Sequence, residues 1–515
     1  MSPQFALERP ESALRAALIV IAIFTLGRII ALALSPIELY ADETQYWIWS
    51  QTFDWGYFSK PPVIAWVIAL TTGLFGDSDF AVRLASPLLH GATAGFLFLA
   101  GRTLWDSRTG FWITLTYLTV PAIWLSGAVI STDTPLFTAW SAGLYCLALL
   151  RREPSWQAAI GLGVAIGLGF MSKYAMIYFV LGTGLAILFD TPARRALLSL
   201  QGGVAGLIGL AILAPNLIWN AANDFATVSH TAANANWGGE LFKFDELSEF
   251  LGGQLGVFGP AFFVFLVLAL YRAIKERQAF GEHALFLAFF IVPALVAVSA
   301  QSFISRAHAN WAASAYVAGT LLITWYLLQG PRWRRYVLFG SIGFHTILMV
   351  TLMTIAASPA LTEAAGMSNS TKRIRAWQET ADAITLAGME RPYSAVVFDN
   401  RNVFHQMQRY AGELDRPLAM WLRYSGPVNH AEQNWPLAER FDGEILIVSE
   451  RPREIPRMRE DFEDFAPAGE ISIALDGDKT RDFTLWRASG HQRITRDEAY
   501  ENRWTAVDLA RRGGD

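Results

Sequence analysis

Tyr40–Pro62 reads YADETQYWIWSQTFDWGYFSKPP. It follows a long apolar run and sets two carboxylates, Asp42 and Glu43, an aromatic cluster and a single lysine, Lys60, into a short space. On both sides the chain is apolar enough to live in a bilayer. A segment this polar between such runs needs a reason, and the reading offered is the floor of a site at one membrane face. Working outward, the 515 residues are 53% hydrophobic and 17% charged, with net charge -4. So apolar a chain is not an ordinary soluble protein, and its charge argues against a nucleic-acid partner. The single cysteine, Cys146, has no intrachain partner.

A span needs about 20 mostly apolar residues. Runs of that kind lie roughly at 13–34, 81–103, 111–129, 134–150, 156–171, 174–190, 199–220, 255–273, 283–300, 311–329 and 336–356. The first is an uncleaved span interrupted by Arg28. The apolar run 61–75 is read as a surface or re-entrant helix. The expected fold is a polytopic α-helical membrane protein of about eleven spans plus an interfacial helix.

Charge asymmetry tests this layout. With a cytoplasmic N-terminus, the inside loops carry Arg102, Arg108, Arg151, Arg152, Arg194, Arg195, Arg272, Lys275, Arg277, Arg332, Arg334 and Arg335. The short outside loops carry only Lys60, Lys173, Lys243 and Arg306. If 61–75 spanned, every later loop would invert and the bias would vanish. The same parity sends residues 357–515 outside, where the composition turns soluble. Strand-like runs at Tyr393–Phe398, Pro417–Leu422, Glu444–Val448 and Thr484–Trp486 alternate with polar helices, suggesting a C-terminal extracytoplasmic α/β domain with a charged tail from about His491. The chain thus reads as a transmembrane domain over 1–356, with outer loops 35–80 and 221–254, and a soluble domain over 357–515. Asp399-Asn400-Arg401 follows a strand, where α/β ligand sites lie, and is equally an ordinary turn.

Each chemistry-bearing residue has a bland alternative. Asp42 with Gln45 fits a capping box, but adjacent side chains do not share a face, so one acid, Asp42, is favoured as the reactive group. Lys60 before two prolines is a helix entry or a point charge for a lipid phosphate. Asp133 in Ser131–Leu136 could cap its helix, yet an acid at a bundle mouth needs a partner or a function. Arg83 opens a span and Lys173 lies between two; each needs a partner or a ligand. Arg306 and His308 in Gln301–Trp311 form a candidate anion clamp. Pro215–Trp237 is rich in amides and aromatics, which suit sugars and equally an interfacial belt. His90 and His345 lie within spans and read as structural.

These residues together resemble the C-type superfamily of membrane glycosyltransferases, within the family of protein O-mannosyltransferases and the bacterial aminoarabinose and galacturonic acid transferases of lipopolysaccharide. The resemblance runs from about Arg28 to Tyr316. It is carried by Asp42-Glu43, Tyr57–Pro62 (YFSKPP), Arg83-Leu84, Thr132–Leu136, Gly167–Tyr174 (GLGFMSKY) and Asn310-Trp311 with Ala312–Tyr316. It implies a polyprenyl-phosphate sugar donor, periplasmic chemistry at the inner membrane and a glycan, lipid or protein acceptor. Asp42 becomes the catalytic carboxylate, and Asp133, in the second acidic motif, is a second candidate catalytic acid. Lys60, with Arg306 and His308, becomes the donor-phosphate site. Glu43, Tyr57, Arg83, Lys173, Asn310 and Trp311 are candidate substrate contacts. Some relatives hold a divalent metal through a glutamate before the Lys-Pro pair; Ser59 stands there, so no metal site is carried over. A transporter or flippase is the main competing class and would predict internal repeats and broken helices near mid-membrane; the acids instead gather at one face.

Overall fold

The structure, a computed structural model, describes residues 9–225, 227–229, 242–276, 280–412, 414–475 and 477–512, the last four without their side chains. The chain divides into two compact units: Met1–Ser35 with Phe53–Met353, and Pro36–Thr52 with Thr354–Asp515.

The first unit is helical. Among the described residues, five helices are long and apolar enough to cross a membrane: Pro10–Ala33, Asp79–Leu104, Leu200–Ala222, Glu282–Ile304 and Arg332–Ala357. Three bent pairs each pass the same test jointly, giving up to eight crossings. The other apolar runs fold as Asp133–Arg152, Trp156–Ser172 and Ala315–Gln329. The run beside the Lys-Pro pair is the short helix Val63–Phe75. Two expected spans are corrected. The run 111–129 bends by 61° between helices Ser107–Thr119 and Pro121–Ala128, where Pro121 starts a new helix. The run 255–273 breaks between helices Phe244–Phe258 and Pro260–Lys275, which meet at 109°. In the second the cause is local: Gly259 sits at φ 98, a left-handed conformation open to glycine, and Pro260 can only start a helix there.

Two buried polar side chains inside this unit show the partnering that a low-dielectric interior favours. Arg28 donates to the Leu118 carbonyl at 2.8 Å. His90 engages the Tyr117 hydroxyl at 2.8 Å and the Ser126 hydroxyl at 2.9 Å, so both ring nitrogens are used.

The second unit is α/β. Its strands are β1 (Ala395–Phe398), β2 (Leu418–Met420), β3 (Arg440–Phe441), β4 (Ile445–Ser449), β5 (Phe462–Ala474) and β6 (Thr480–Gln492). The sheet order is β2-β1-β4-β6-β3, with β5 paired to β6. β2, β1 and β4 run parallel, and β6 is antiparallel to its neighbours. Every residue of β1 and β4 is buried, the pattern of parallel strands covered on both faces. β5 is absent from the sequence reading because it is mostly exposed, carries Pro467 and Gly469, and bulges between them. The described residues after His491 are ordered into a helix rather than a loose tail. Helix Glu498–Arg512 is tied down by Arg457–Glu501 and Arg423–Asp508, each at 2.9 Å.

Candidate active site

The Asp42-Glu43 pair opens helix Ala41–Ser50, whose N-cap is Tyr40. The capping acid is Glu43, three residues on: its Oε2 accepts the Tyr40 backbone N–H at 2.9 Å. This corrects the reading of Asp42 as the cap with Gln45 as its partner. Asp42 stands at the second helical position, exposed, and its carboxylate has no hydrogen-bond partner among the described residues. Glu43 is 2% exposed. The helix N-terminus favours a negative charge at both positions.

The segment Phe53–Lys60 is held by backbone bonds from side chains far away in sequence. Asn216 Nδ2 donates to the Trp55 carbonyl at 2.7 Å, and Thr227 Oγ1 donates to the Tyr57 carbonyl at 2.7 Å. Trp66 Nε1 donates to the Asp54 carbonyl at 3.0 Å, and its ring stacks on Phe53 at 5.3 Å. The Tyr57 N–H donates to the Lys60 carbonyl at 3.1 Å and closes the turn that presents the lysine. Gly56 is required at this point: a Cβ there would lie 2.7 Å from Trp219 Cδ2. Burial pushes the Tyr57 phenol up to about 12, so it remains a hydrogen-bond donor at neutral pH.

Asn216 also joins this segment to the next. It accepts from the Tyr174 hydroxyl at 2.7 Å, and Asn220 Nδ2 donates to the same hydroxyl at 3.0 Å. Asn216 and Asn220 are four residues apart, so they share one face of helix Leu200–Ala222. Beside Tyr174, Lys173 Nζ reaches Asp133 Oδ1 at 2.7 Å, a partly buried ion pair. The two residues named separately from the sequence as a catalytic acid and a substrate contact are thus each other's partner. Asp133 starts helix Asp133–Arg152, and the next residue, Thr134, meets Ser126 at 3.2 Å, which extends the His90–Tyr117 chain to the mouth of the site. Arg83 is buried, 3% exposed, in the first turns of Asp79–Leu104.

The loop after helix Val292–Ile304 presents Arg306, His308 and Asn310, all exposed. Its backbone is anchored from beneath by Gln254, which is fully buried: Nε2 donates to the Ala309 carbonyl at 3.1 Å, and Oε1 accepts from the Tyr316 hydroxyl at 2.6 Å. His308 lies edge-on to Trp311 at 5.6 Å.

The helices also order the charges end to end. From Asp133 to Arg152, and from Arg83 to Arg102, a helix rises about 28 Å, close to the thickness of a hydrocarbon core. At the far end Arg102, Arg151, Arg152, His283 and Trp105 line a cavity of about 490 Å³. Arg151 is fixed there by Asp190 at 2.7 Å.

Tyr57, Lys60, Arg83, Asp133, Lys173, Arg306, His308, Asn310 and Trp311 therefore belong to the helical unit, while Asp42 and Glu43 belong to the discontinuous α/β unit. Asn216, Asn220 and Tyr174 were missed as organising residues. The available signal was two asparagines at helical spacing inside an apolar run. Residues 226 and 230–237 of the amide-rich segment lie outside the described residues. Asp399 and Asn400 serve the fold: Asp399 accepts from Ser449 Oγ at 2.5 Å, and Asn400 caps helix Arg401–Tyr410. Burial raises the Asp399 carboxyl above its usual range.

Residues 59–219 match the dolichyl-phosphate-mannose-protein mannosyltransferase family. The chain is 32% identical over 442 residues to the lipid A galacturonosyltransferase RgtD of Rhizobium johnstonii, covering 85% of this chain and 91% of the relative. It is 33% identical over 167 residues to an undecaprenyl phosphate-α-4-amino-4-deoxy-L-arabinose arabinosyl transferase of Pseudomonas fluorescens, covering 31% and 30%. In fold it resembles crystal structures of ArnT from Cupriavidus metallidurans. The apo form superposes with a TM-score of 0.61 at 15% identity over 91% of this chain and 97% of that one. The form bound to undecaprenyl phosphate gives 0.62. By its length-wide relationship to the galacturonosyltransferase, the chain belongs to this family of membrane glycosyltransferases and is a multi-pass membrane enzyme.

Proposed function

We propose that the enzyme transfers a galacturonosyl residue from an undecaprenyl-phosphate-linked donor to lipid A or the adjoining lipopolysaccharide, at the periplasmic face of the bacterial inner membrane. The observation that carries this choice of sugar is the match across 91% of the galacturonosyltransferase, against 30% of the arabinosyl relative. The excess of arginine at the Arg102–Arg152 end supports a cytoplasmic placement for that end, and therefore a periplasmic one for Lys60 and Asp133. The α/β unit and the loop at 301–310 follow to the same side, and the N-terminus stays cytoplasmic.

The chemistry follows from the leaving group. As the sugar's anomeric carbon leaves the phosphate oxygen, the bonding pair goes to the phosphate, whose developing charge needs cations. Lys60 fills that role, with Arg306 and His308 as further donors. The acceptor hydroxyl forms the new bond to the anomeric carbon and gives its proton to Asp42, the general base. One displacement inverts the anomeric centre, and one carboxylate suffices, unlike a glycosidase. The Asp133–Lys173 pair holds the mouth of the bundle. Glu43, Tyr57, Arg83, Asn310 and Trp311 contact the substrates.

The test is Asp42→Asn in purified enzyme reconstituted in vesicles, assayed with undecaprenyl-phosphate galacturonic acid and lipid A. Because Asp42 caps nothing, the variant keeps its fold, and its turnover falls about 10²-fold or more. Full turnover in the variant ends the assignment of the base. Turnover with the aminoarabinose donor and none with the galacturonic donor ends the assignment of the sugar.

A further inference from the structure

We propose that the α/β unit sets the position of the Asp42 helix, and that Glu38 is the positioning residue through which it does so. The inference rests on the reading of Asp42 as the base. Helix Trp377–Met389 has Ala376 at its N-cap, in a left-handed conformation at φ 58, with no side chain able to cap. A helix start left this way exposes free N–H donors. Glu38 supplies the missing cap from more than three hundred residues away. Its Oε2 accepts the Trp377 N–H at 2.6 Å and its Oε1 accepts the Gln378 N–H at 2.8 Å. A carboxylate at a helix N-terminus is doubly suited to this, as acceptor and as charge.

The receiving end is itself rigid. Arg481 donates to the carbonyls of Lys372, Arg375 and Ala376 at 2.7, 2.9 and 3.0 Å, and lies 3.6 Å from the Trp377 ring centroid. The held segment continues toward Asp42 without a gap. The Glu38 N–H donates to the Ile374 carbonyl at 3.2 Å. The Leu39 N–H donates to the Tyr410 hydroxyl at 3.0 Å, and the Leu39 carbonyl accepts from Gln406 Nε2 at 2.8 Å. The Tyr40 N–H is taken by Glu43, and helix Ala41–Ser50 begins at the next residue. Three consecutive backbone N–H groups, those of Glu38, Leu39 and Tyr40, are thus committed up to the residue that caps the Asp42 helix. An exposed carboxylate with no partner of its own takes its position from its backbone alone. The clamp therefore acts on where the base stands, and not on how tightly the donor binds. Misplacing a reacting group by about 1 Å can cost as much as 10²-fold in rate.

The test uses the full-length enzyme in vesicles, with Glu38→Ala, Glu38→Gln, Tyr410→Phe and Asp42→Asn compared. Undecaprenyl-phosphate galacturonic acid is the donor, and hydrogen exchange over residues 41–50 is followed in parallel. In Glu38→Ala, exchange over 41–50 accelerates and kcat falls about 10- to 100-fold, while the donor KM stays within about twofold. Glu38→Gln keeps one acceptor oxygen but turns an amide N–H toward the second backbone donor, so it falls between Ala and wild type. Tyr410→Phe loses several-fold in kcat with the same KM. Unchanged exchange in both Glu38→Ala and Tyr410→Phe overturns the clamp. Accelerated exchange with unchanged kcat, or a KM that rises in step with the loss of kcat, overturns its role in positioning. A fully active Asp42→Asn sinks the base assignment, and the catalytic purpose of the clamp with it. The exchange arm then still decides whether the clamp exists.

Discussion

Asn216 shows how much one side chain can organise. It is fully buried and satisfies both the Trp55 carbonyl and the Tyr174 hydroxyl. Asn216→Ala strands both, and a buried polar group left unpaired costs about 1–3 kcal/mol. We expect a lower melting temperature in detergent and a loosened Phe53–Lys60 segment, read by faster exchange there. Asn216→Asp keeps the acceptor for Tyr174 but loses the donor to Trp55, so it repairs one bond at most. Lys60→Gln removes the point charge and leaves the turn that presents it intact, because that turn is built from backbone atoms. It should lose turnover about tenfold or more with little change in melting temperature. At this scale the sequence announced the charged residues, since a charge beside apolar helices demands explanation. It did not announce the amides, whose work depends on which carbonyl they meet. The pairing of Asp133 with Lys173 was hidden for the same reason: the two are separated by forty residues and brought together only by the packing of helices Asp133–Arg152 and Trp156–Ser172.

Helical runs were legible because a bilayer-length apolar stretch has few other fates. Their interruptions were not. The break at Gly259 depends on one residue at positive φ, with His345 where a Cβ would go. Gly259→Ala meets both the conformational penalty, about 1–2 kcal/mol, and that clash. It should destabilise the enzyme measurably by thermal unfolding, whereas alanine at Gly252, with open space around it, should not. Gly256, also with open space around it, is a second control. In the α/β unit, β1 and β4 were visible as apolar runs, whereas β5 was not. Its pairing with β6 puts charged and small residues on an exposed surface, a pattern that reads as loop.

The whole molecule adds a pH dependence. His405 is buried in helix Arg401–Tyr410, and neither ring nitrogen has a hydrogen-bond partner among the described residues. Burial holds it well below the usual histidine range, and His430 and Arg401 act in the same direction. His430 is itself held down to about 4 by burial. The unfolded chain takes up a proton near pH 6.5 that the folded chain refuses. Stability from His405 is therefore complete above that value and is lost as pH falls, by about 1.4 kcal/mol per pH unit. Carboxyls raised by burial, such as Glu432 and Glu450, act oppositely at lower pH. Comparing wild type with His405→Leu cancels them. Between pH 7 and 5.5 exchange in helix Arg401–Tyr410 should accelerate in the wild type and stay nearly flat in the variant. A wild type as flat as the variant would refute it. The family was legible at this scale, from motif order. The split of the chain into units was not, because the sequence places Asp42 among the membrane runs and the structure groups its helix with Trp377, Gln406 and Tyr410.

That grouping has a consequence for how the enzyme is made. Glu38 and Trp377 are 339 residues apart. At a synthesis rate of about 5–20 residues per second, roughly 20–70 seconds separate their emergence from the ribosome. Throughout that interval the segment before the Asp42 helix lacks the contacts that Trp377, Gln406 and Tyr410 give it in the folded unit. A nascent chain halted before Trp377 would carry the Lys60 loop and the membrane helices, yet lack the residues that fix the segment leading into helix Ala41–Ser50. Under the proposed role of Asp42, activity is thereby tied to completion of the α/β unit.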